Sequence, residues 1–131
     1  MGNESVKNTS QNPSEDKPVM TKVSIITRGE KFEELRKKMC EIGVTGMTVS
    51  HVEGCGRQHG IMKVFEGVKK RIYVSPKIKV DIVVCSVPVE EVIRVAQEVL
   101  FTGKIGDGKI FTSRIDHVVR IRTNERDKDA L

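Results

Sequence analysis

The chain of 131 residues has 37% hydrophobic and 31% charged side chains, a globular composition that excludes a collagen-like, disulfide-built or wholly disordered protein and suits a single core of roughly 100 to 150 residues. Lysine and arginine outnumber aspartate and glutamate by 23 to 18, a formal net charge of +5, which favours anionic partners without choosing among nucleotides, nucleic acid and membrane surfaces. With no Trp, one Tyr and four Phe, the chain lacks the aromatic platforms on which single-stranded bases stack, and this argues against RNA binding.

Residues 1–19 are almost wholly polar and carry too little apolar surface to offset the entropy of ordering, so a disordered tail is expected there. From Met20 the chain reads as one domain, residues 20–131. A first strand is expected at 21–27, where Val23 and Ile25 alternate with small or polar residues. Phe32, Leu35, Met39 and Ile42 then recur at three- and four-residue steps, marking an amphipathic helix that stops at Gly43. The stretch 46–56 has strand character and closes on Gly54 and Gly56. Residues 57–77 show no sustained period and read as a long loop, a length that is often functional in a small domain. A buried strand follows at 78–84, then a second helix opened by Pro88 and carried by Val89, Val92, Ile93, Ala96 and Val99 or Leu100. Two further β segments, 109–115 and 117–123, precede a charged end.

This order matches two split βαβ units, an α+β, ferredoxin-like βαββαβ pattern with both helices on one sheet face. The other face is expected to show Ile and Val to solvent, and therefore to be covered by self-association.

Cys40, Cys55 and Cys85 are widely spaced, with no CxxC pair, and read as reduced thiols of a cytoplasmic protein. The amino terminus lacks the apolar core of a signal peptide, no stretch reaches the roughly 18 to 20 apolar residues of a membrane span, and Val6 stands where a myristoylation motif needs Ser or Thr.

The densest chemical signal is TGKIGDGKIF at 102–111. Gly103, Gly106 and Gly108 allow backbone N–H groups to converge on an anion beside Lys104 and Lys109. Solvated lysines on a glycine-rich hairpin are the plain alternative. The spacing superficially resembles a Walker A motif, but Ile110 replaces the magnesium-binding hydroxyl and a strand rather than a helix follows. Gly54–Gln58 and the pair Arg120 and Arg122, set on one strand face by the two-residue period, are two further anion-friendly segments. Three in a short chain point to a polyphosphate ligand. His51, His59 and His117 fit no catalytic spacing, Asp107 is as well explained as a turn residue, and no catalytic residue is assigned.

The segments 43–60, 102–111 and VVRIRTNERD at the end, in this order, resemble the PII family of nitrogen-regulatory signal proteins over about Met20 to Leu131. The resemblance implies a homotrimer of ferredoxin-like subunits with a T-loop at about 56–77, a B-loop at about 102–109 and a carboxy-terminal segment at about 117–131. It implies ATP or ADP in clefts between subunits. Phosphates would be held by Gly106, Asp107, Gly108 and Lys109, by Gly56, Arg57 and Gln58, and by Arg120 and Arg122 of the adjacent subunit, while Ile26, Thr48 and Val83 line the adenine side. It further implies 2-oxoglutarate as an effector, bound through Mg2+ and the amide oxygen of Gln58, at Gly56 and Gly60, with a carboxylate on Lys77.

The sequence departs from the family in the T-loop. Lys70 stands at the uridylylated tyrosine and Val68 at the phosphorylated serine, so no covalent modification is expected. Glu66 replaces an arginine used toward ammonium channels, His59 a common lysine, and Gly29-Glu30 a proline-phenylalanine pair. Lys69-Lys70-Arg71 suits an acidic target surface or a solvated tip. The function implied is a non-enzymatic regulator of a target enzyme or membrane transporter, acting through the T-loop and binding no nucleic acid. The alternatives are an adenylate-only sensor of the same kind and, from another class, a basic nucleic-acid-binding ferredoxin-like domain.

Overall fold

The computed structural model describes residues 18–56, 61–72 and 74–131; most of the tail expected at 1–19, and Arg57, Gln58, His59, Gly60 and Tyr73, lie outside them. Pro18 and Val19 are exposed and lead into β1.

Four strands form one antiparallel sheet in the order β2 (Thr48–Cys55), β5 (Val74–Val84), β1 (Met20–Thr27), β6 (Lys109–Ile115). Each of the two outer strands is reached from a central one through a helix, which is the expected split βαβ topology. The register explains the core. Val23 lies opposite Ile82 and Ile25 opposite Val80, so these residues share one face, and all four are at most 1% exposed. Onto that face pack Leu35 and Met39 of α1 (Phe32–Glu41) and Val92, Val95, Ala96, Val99 and Leu100 of α2 (Val89–Leu100), each set spaced by three or four residues as a helix stripe requires.

Local chemistry sets the helix ends. After α1 the amide of Gly43 donates to the Cys40 carbonyl and that of Val44 to the Met39 carbonyl, while Gly43 takes φ +97°. This is a Schellman cap, closed by the buried side chains of Val44 and Met39. Pro88, which lacks an N–H to leave unsatisfied, immediately precedes α2, and its carbonyl accepts from Glu91 and Val92.

Three expectations are corrected. Residues 57–77 are not a plain loop: β3 (Ile61–Phe65) and β4 (Val68–Ile72) pair as a separate two-stranded sheet, and β5 begins at Val74 rather than at 78. Mixed basic and apolar residues hide that hairpin from a periodicity test, because neither of its faces is buried. Residues 117–123 are not a strand. They form turns, with the Asn124 amide bonded to the Arg120 carbonyl, the Arg120 amide to the Glu125 carbonyl, and a single bridge between Val119 and Arg126. Arg120 and Arg122 are therefore not aligned by a strand period. Finally, the sheet face away from the helices is mixed rather than uniformly apolar. Lys22, Ser24, Lys79, Asp81, Thr48, Ser50, Lys109 and Ser113 occupy it by register beside Met20, Ile26, Val83, Val52, Phe111 and Ile115.

Candidate anion-binding site

The segment Thr102–Gly108 joins the end of α2 to β6, and its shape depends on glycine. Gly103, Gly106 and Gly108 have φ of +80°, +101° and +105°, values that L side chains rarely adopt. At Gly108 the restriction is absolute: a Cβ there would lie 1.8 Å from the carbonyl oxygen of Ile26. The loop is thereby pressed onto the backbone of β1.

Asp107 holds the loop from inside. Its carboxylate accepts the amides of Thr102 at 2.8 Å and Gly103 at 3.0 Å, the Thr102 hydroxyl, and Arg28 Nη1 at 2.8 Å. Those bonds, the Thr102 hydroxyl foremost, followed by its amide, the Arg28 guanidinium and the Gly103 amide, favour the charged form and hold the carboxyl far below the ordinary carboxylate range. Arg28 also donates through Nη2 to the Ile105 carbonyl. The Thr27 hydroxyl donates to the Asp107 carbonyl at 2.8 Å, and Lys77 Nζ to the Gly106 carbonyl at 2.7 Å. A Cβ on Gly106 would stand 2.8 Å from Arg28 Nη2 and 3.2 Å from Lys77 Nζ, so two cations converge on this one glycine.

The result is a tightly tied loop set among basic side chains. Asp107 is consumed as an internal acceptor, so its negative charge does not repel an incoming anion at full strength. Arg28 and Lys77 supply charge, and exposed Lys104 and Lys109 flank the loop. Such an arrangement can hold phosphate or carboxylate oxygens by N–H groups and charge together.

Several residues expected from sequence assemble here. Gly106, Asp107, Gly108 and Lys109 are contiguous with Lys77. Lys109 pairs with Ile26 across β6 and β1. Ile26 pairs with Lys79 and Val83 with Lys22, while Thr48 pairs with Asp81, so Ile26, Thr48, Val83 and Lys109 occupy one sheet face. Gly56 follows the end of β2 and is exposed. Arg57, Gln58 and Gly60 lie outside the described residues. Arg120 and Arg122 are not brought to this loop: Arg120 pairs with Glu125 at 3.2 Å and donates to the Ala130 carbonyl at 3.3 Å, and Arg122 is exposed in the turn. Lys70 and Val68 fall on β4.

Sequence reasoning missed Arg28, Thr27 and Thr102. A signal for the first two existed: once β1 and β6 are neighbours and Ile26 faces Lys109, continuing the antiparallel register brings Thr27 toward Gly108 and Arg28 toward Asp107. Thr102 was hidden because its partner is chosen by a turn, not by a period.

Among the described residues no helix is long and apolar enough to cross a membrane. The profile of the family described as nitrogen regulatory protein P-II matches residues 20–125. A nitrogen regulatory PII-like protein of Bacillus subtilis is 45% identical over 112 residues, 86% of this chain and 97% of that protein. The nitrogen regulatory protein GlnK of Escherichia coli K12 is 39% identical over 112 residues, 86% of this chain and all of that protein. Among solved structures, a B. subtilis GlnK–ATP complex superposes with a TM-score of 0.72 at 40% identity over 87% of this chain and 99% of that one, and B. subtilis GlnK with 0.74 at 43% over 86% and 99%. A profile spanning the whole sheet, joined to relatives of matching length, identifies this chain as a member of the nitrogen regulatory P-II protein family.

Proposed function

We propose that the protein is a nitrogen-regulatory signal transducer that binds ATP or ADP at the subunit interfaces of a homotrimer and, with Mg2+ and ATP, 2-oxoglutarate. Ligand binding changes the population of conformations of residues 56–77, which dock on and regulate a target enzyme or membrane transporter in the cytoplasm. The protein acts by binding, not by catalysis. The observation that carries this function is the glycine-rich loop 102–108, fixed in shape by Asp107, Arg28 and Lys77, together with the likeness to a GlnK–ATP complex.

In this proposal Gly106, Asp107, Gly108 and Lys109 meet the phosphates with Gly56, Arg57 and Gln58, and Arg120 and Arg122 come from the neighbouring subunit. Ile26, Thr48 and Val83 border the base. Lys77 takes a carboxylate of 2-oxoglutarate, with Gln58, Gly56 and Gly60 completing that site. Mg2+ in nucleotide sites is bound largely by phosphate oxygens and water with few protein ligands, so in this proposal the ion enters on ATP and meets the amide oxygen of Gln58.

Calorimetric titration with Mg-ATP, with and without 2-oxoglutarate, tests the proposal. Tighter ATP binding in the presence of 2-oxoglutarate, abolished by Gln58→Ala, is the expected result. ATP binding indifferent to 2-oxoglutarate would reduce the function to an adenylate-only sensor. Absence of ATP binding would overturn it.

A further inference from the structure

Residues 61–72 combine two properties that a solvated tip does not need. Every apolar side chain described in the hairpin is exposed: Met62 50%, Val64 64%, Phe65 49% and Val68 56%. The same twelve positions carry Lys63, Lys69, Lys70 and Arg71 against a single acid, Glu66. Among the described residues β3 and β4 pair only with each other, and a two-stranded ribbon of this length is marginal in water by itself.

The register sharpens the anomaly. Along the ribbon the basic positions 63 and 70 stand opposite one another. Phe65 stands opposite Val68, two positions nearer the turn, so the apolar pair lies about 7 Å further out than the basic pair. That spacing matches the depth of roughly 5 to 10 Å at which interfacial elements bury apolar side chains below phosphate headgroups. Successive cross-strand pairs also alternate between the two faces of the ribbon, so Met62 and Val64 belong to one face and Phe65 and Val68 to the other. A protein partner seated on one face leaves the other apolar face in water, whereas a bilayer surrounds both.

We infer that the β3–β4 hairpin is an arm that inserts shallowly into anionic lipid surfaces, with Phe65 and Val68 at the acyl boundary and the basic positions 63 and 69–71 behind them at the level of the lipid phosphates. Glu66, in the turn, opposes deep entry and limits its depth. The inference is independent of nucleotide or 2-oxoglutarate binding, and the partner is the lipid itself.

The test is co-sedimentation of the full-length protein with protein-free vesicles of phosphatidylcholine, with or without about 30% phosphatidylserine. Binding to the anionic vesicles alone is expected, weakened at least roughly tenfold by high salt. Lys69→Glu with Lys70→Glu should abolish it, Phe65→Ser should lower it about fivefold or more, and Glu66→Gln should strengthen it. Lys37→Glu with Lys38→Glu, the same charge change on the exposed face of α1, should leave most binding intact. No binding to anionic vesicles overturns the inference and leaves an acidic protein as the hairpin's counterpart. Binding insensitive to Phe65→Ser, or lost equally with the α1 variant, overturns it as adsorption of a basic protein. Unchanged thermal unfolding of each variant shows that the fold is intact.

Discussion

The loop 102–108 and the hairpin 61–72 both project from the same sheet and both turn on residues of positive φ, yet they are secured in opposite ways. The first is tied from all sides. Asp107 accepts from two amides, a hydroxyl and a guanidinium, Arg28 and Lys77 hold two carbonyls, and Gly108 rests against β1. The hairpin rests on its own ladder and the turn at Glu66 and Gly67, with φ of 49° and 79°, the hand of a type I′ turn. One element is preorganised for a small rigid anion, and the other is free to conform to something large. In a regulator, sensing belongs on the first kind of element and response on the second.

Replacing Gly108 should break the contrast most severely. Gly108→Ala places a methyl group on the Ile26 carbonyl at a forbidden φ, and a loss of about 3 kcal/mol or more is expected in urea unfolding, with ATP binding abolished. Asp107→Asn keeps the size but removes the ion pair with Arg28. The amides of Thr102 and Gly103 should then exchange roughly tenfold faster with solvent, while the hairpin amides stay unchanged. Acid should act on the same bonds. The folded-state pKa of Asp107 is depressed, so its contribution to stability is complete above the ordinary aspartate value of about 3.9 and fades as pH falls below it toward the depressed value. The urea midpoint should therefore fall over that interval in the parent protein more steeply than in Asp107→Asn. Lys77→Ala removes one anchor, and an unfolding cost of about 1 kcal/mol is expected, with the 2-oxoglutarate response lost. The mildest change sits in the other region: Glu66→Asn suits the positive φ of the turn and should slow exchange of the hairpin amides by a few tenths of a kcal/mol without altering ATP affinity.

The parts of the molecule that obey a period could be read in advance. Both helices, the sheet strands and their order follow from apolar residues at two-, three- and four-residue steps, and glycine at 43 and proline at 88 mark where helices stop and start. The glycine loop could be singled out because three glycines and two lysines fall within 103–109, a pattern that suits an anion site or a hairpin with solvated lysines. Its fastening could not. Arg28 and Asp107 are joined across almost the whole domain, and only the strand register reveals that they meet. The hairpin escaped for the opposite reason. Its alternation carries charge where a buried strand would carry apolar residues, so hydrophobic periodicity has nothing to detect. Arg120 and Arg122 show the converse error: a sequence of alternating apolar and basic residues folds as turns because local bonds from Asn124 and Glu125 close them first.

The place of β1 at the centre of the sheet has a consequence for the birth of the protein. The first strand to leave the ribosome pairs on one side with β5 and on the other with β6, the last strand made. Until β5 is made β1 offers two unsatisfied edges, and the edge that β6 takes stays open until 109–115 follow. Folding is accordingly paced by long-range closure rather than by local structure. The nascent chain passes through a stage in which its most buried strand is its most adhesive one, and rapid synthesis of the second half of the domain is its protection against aggregation.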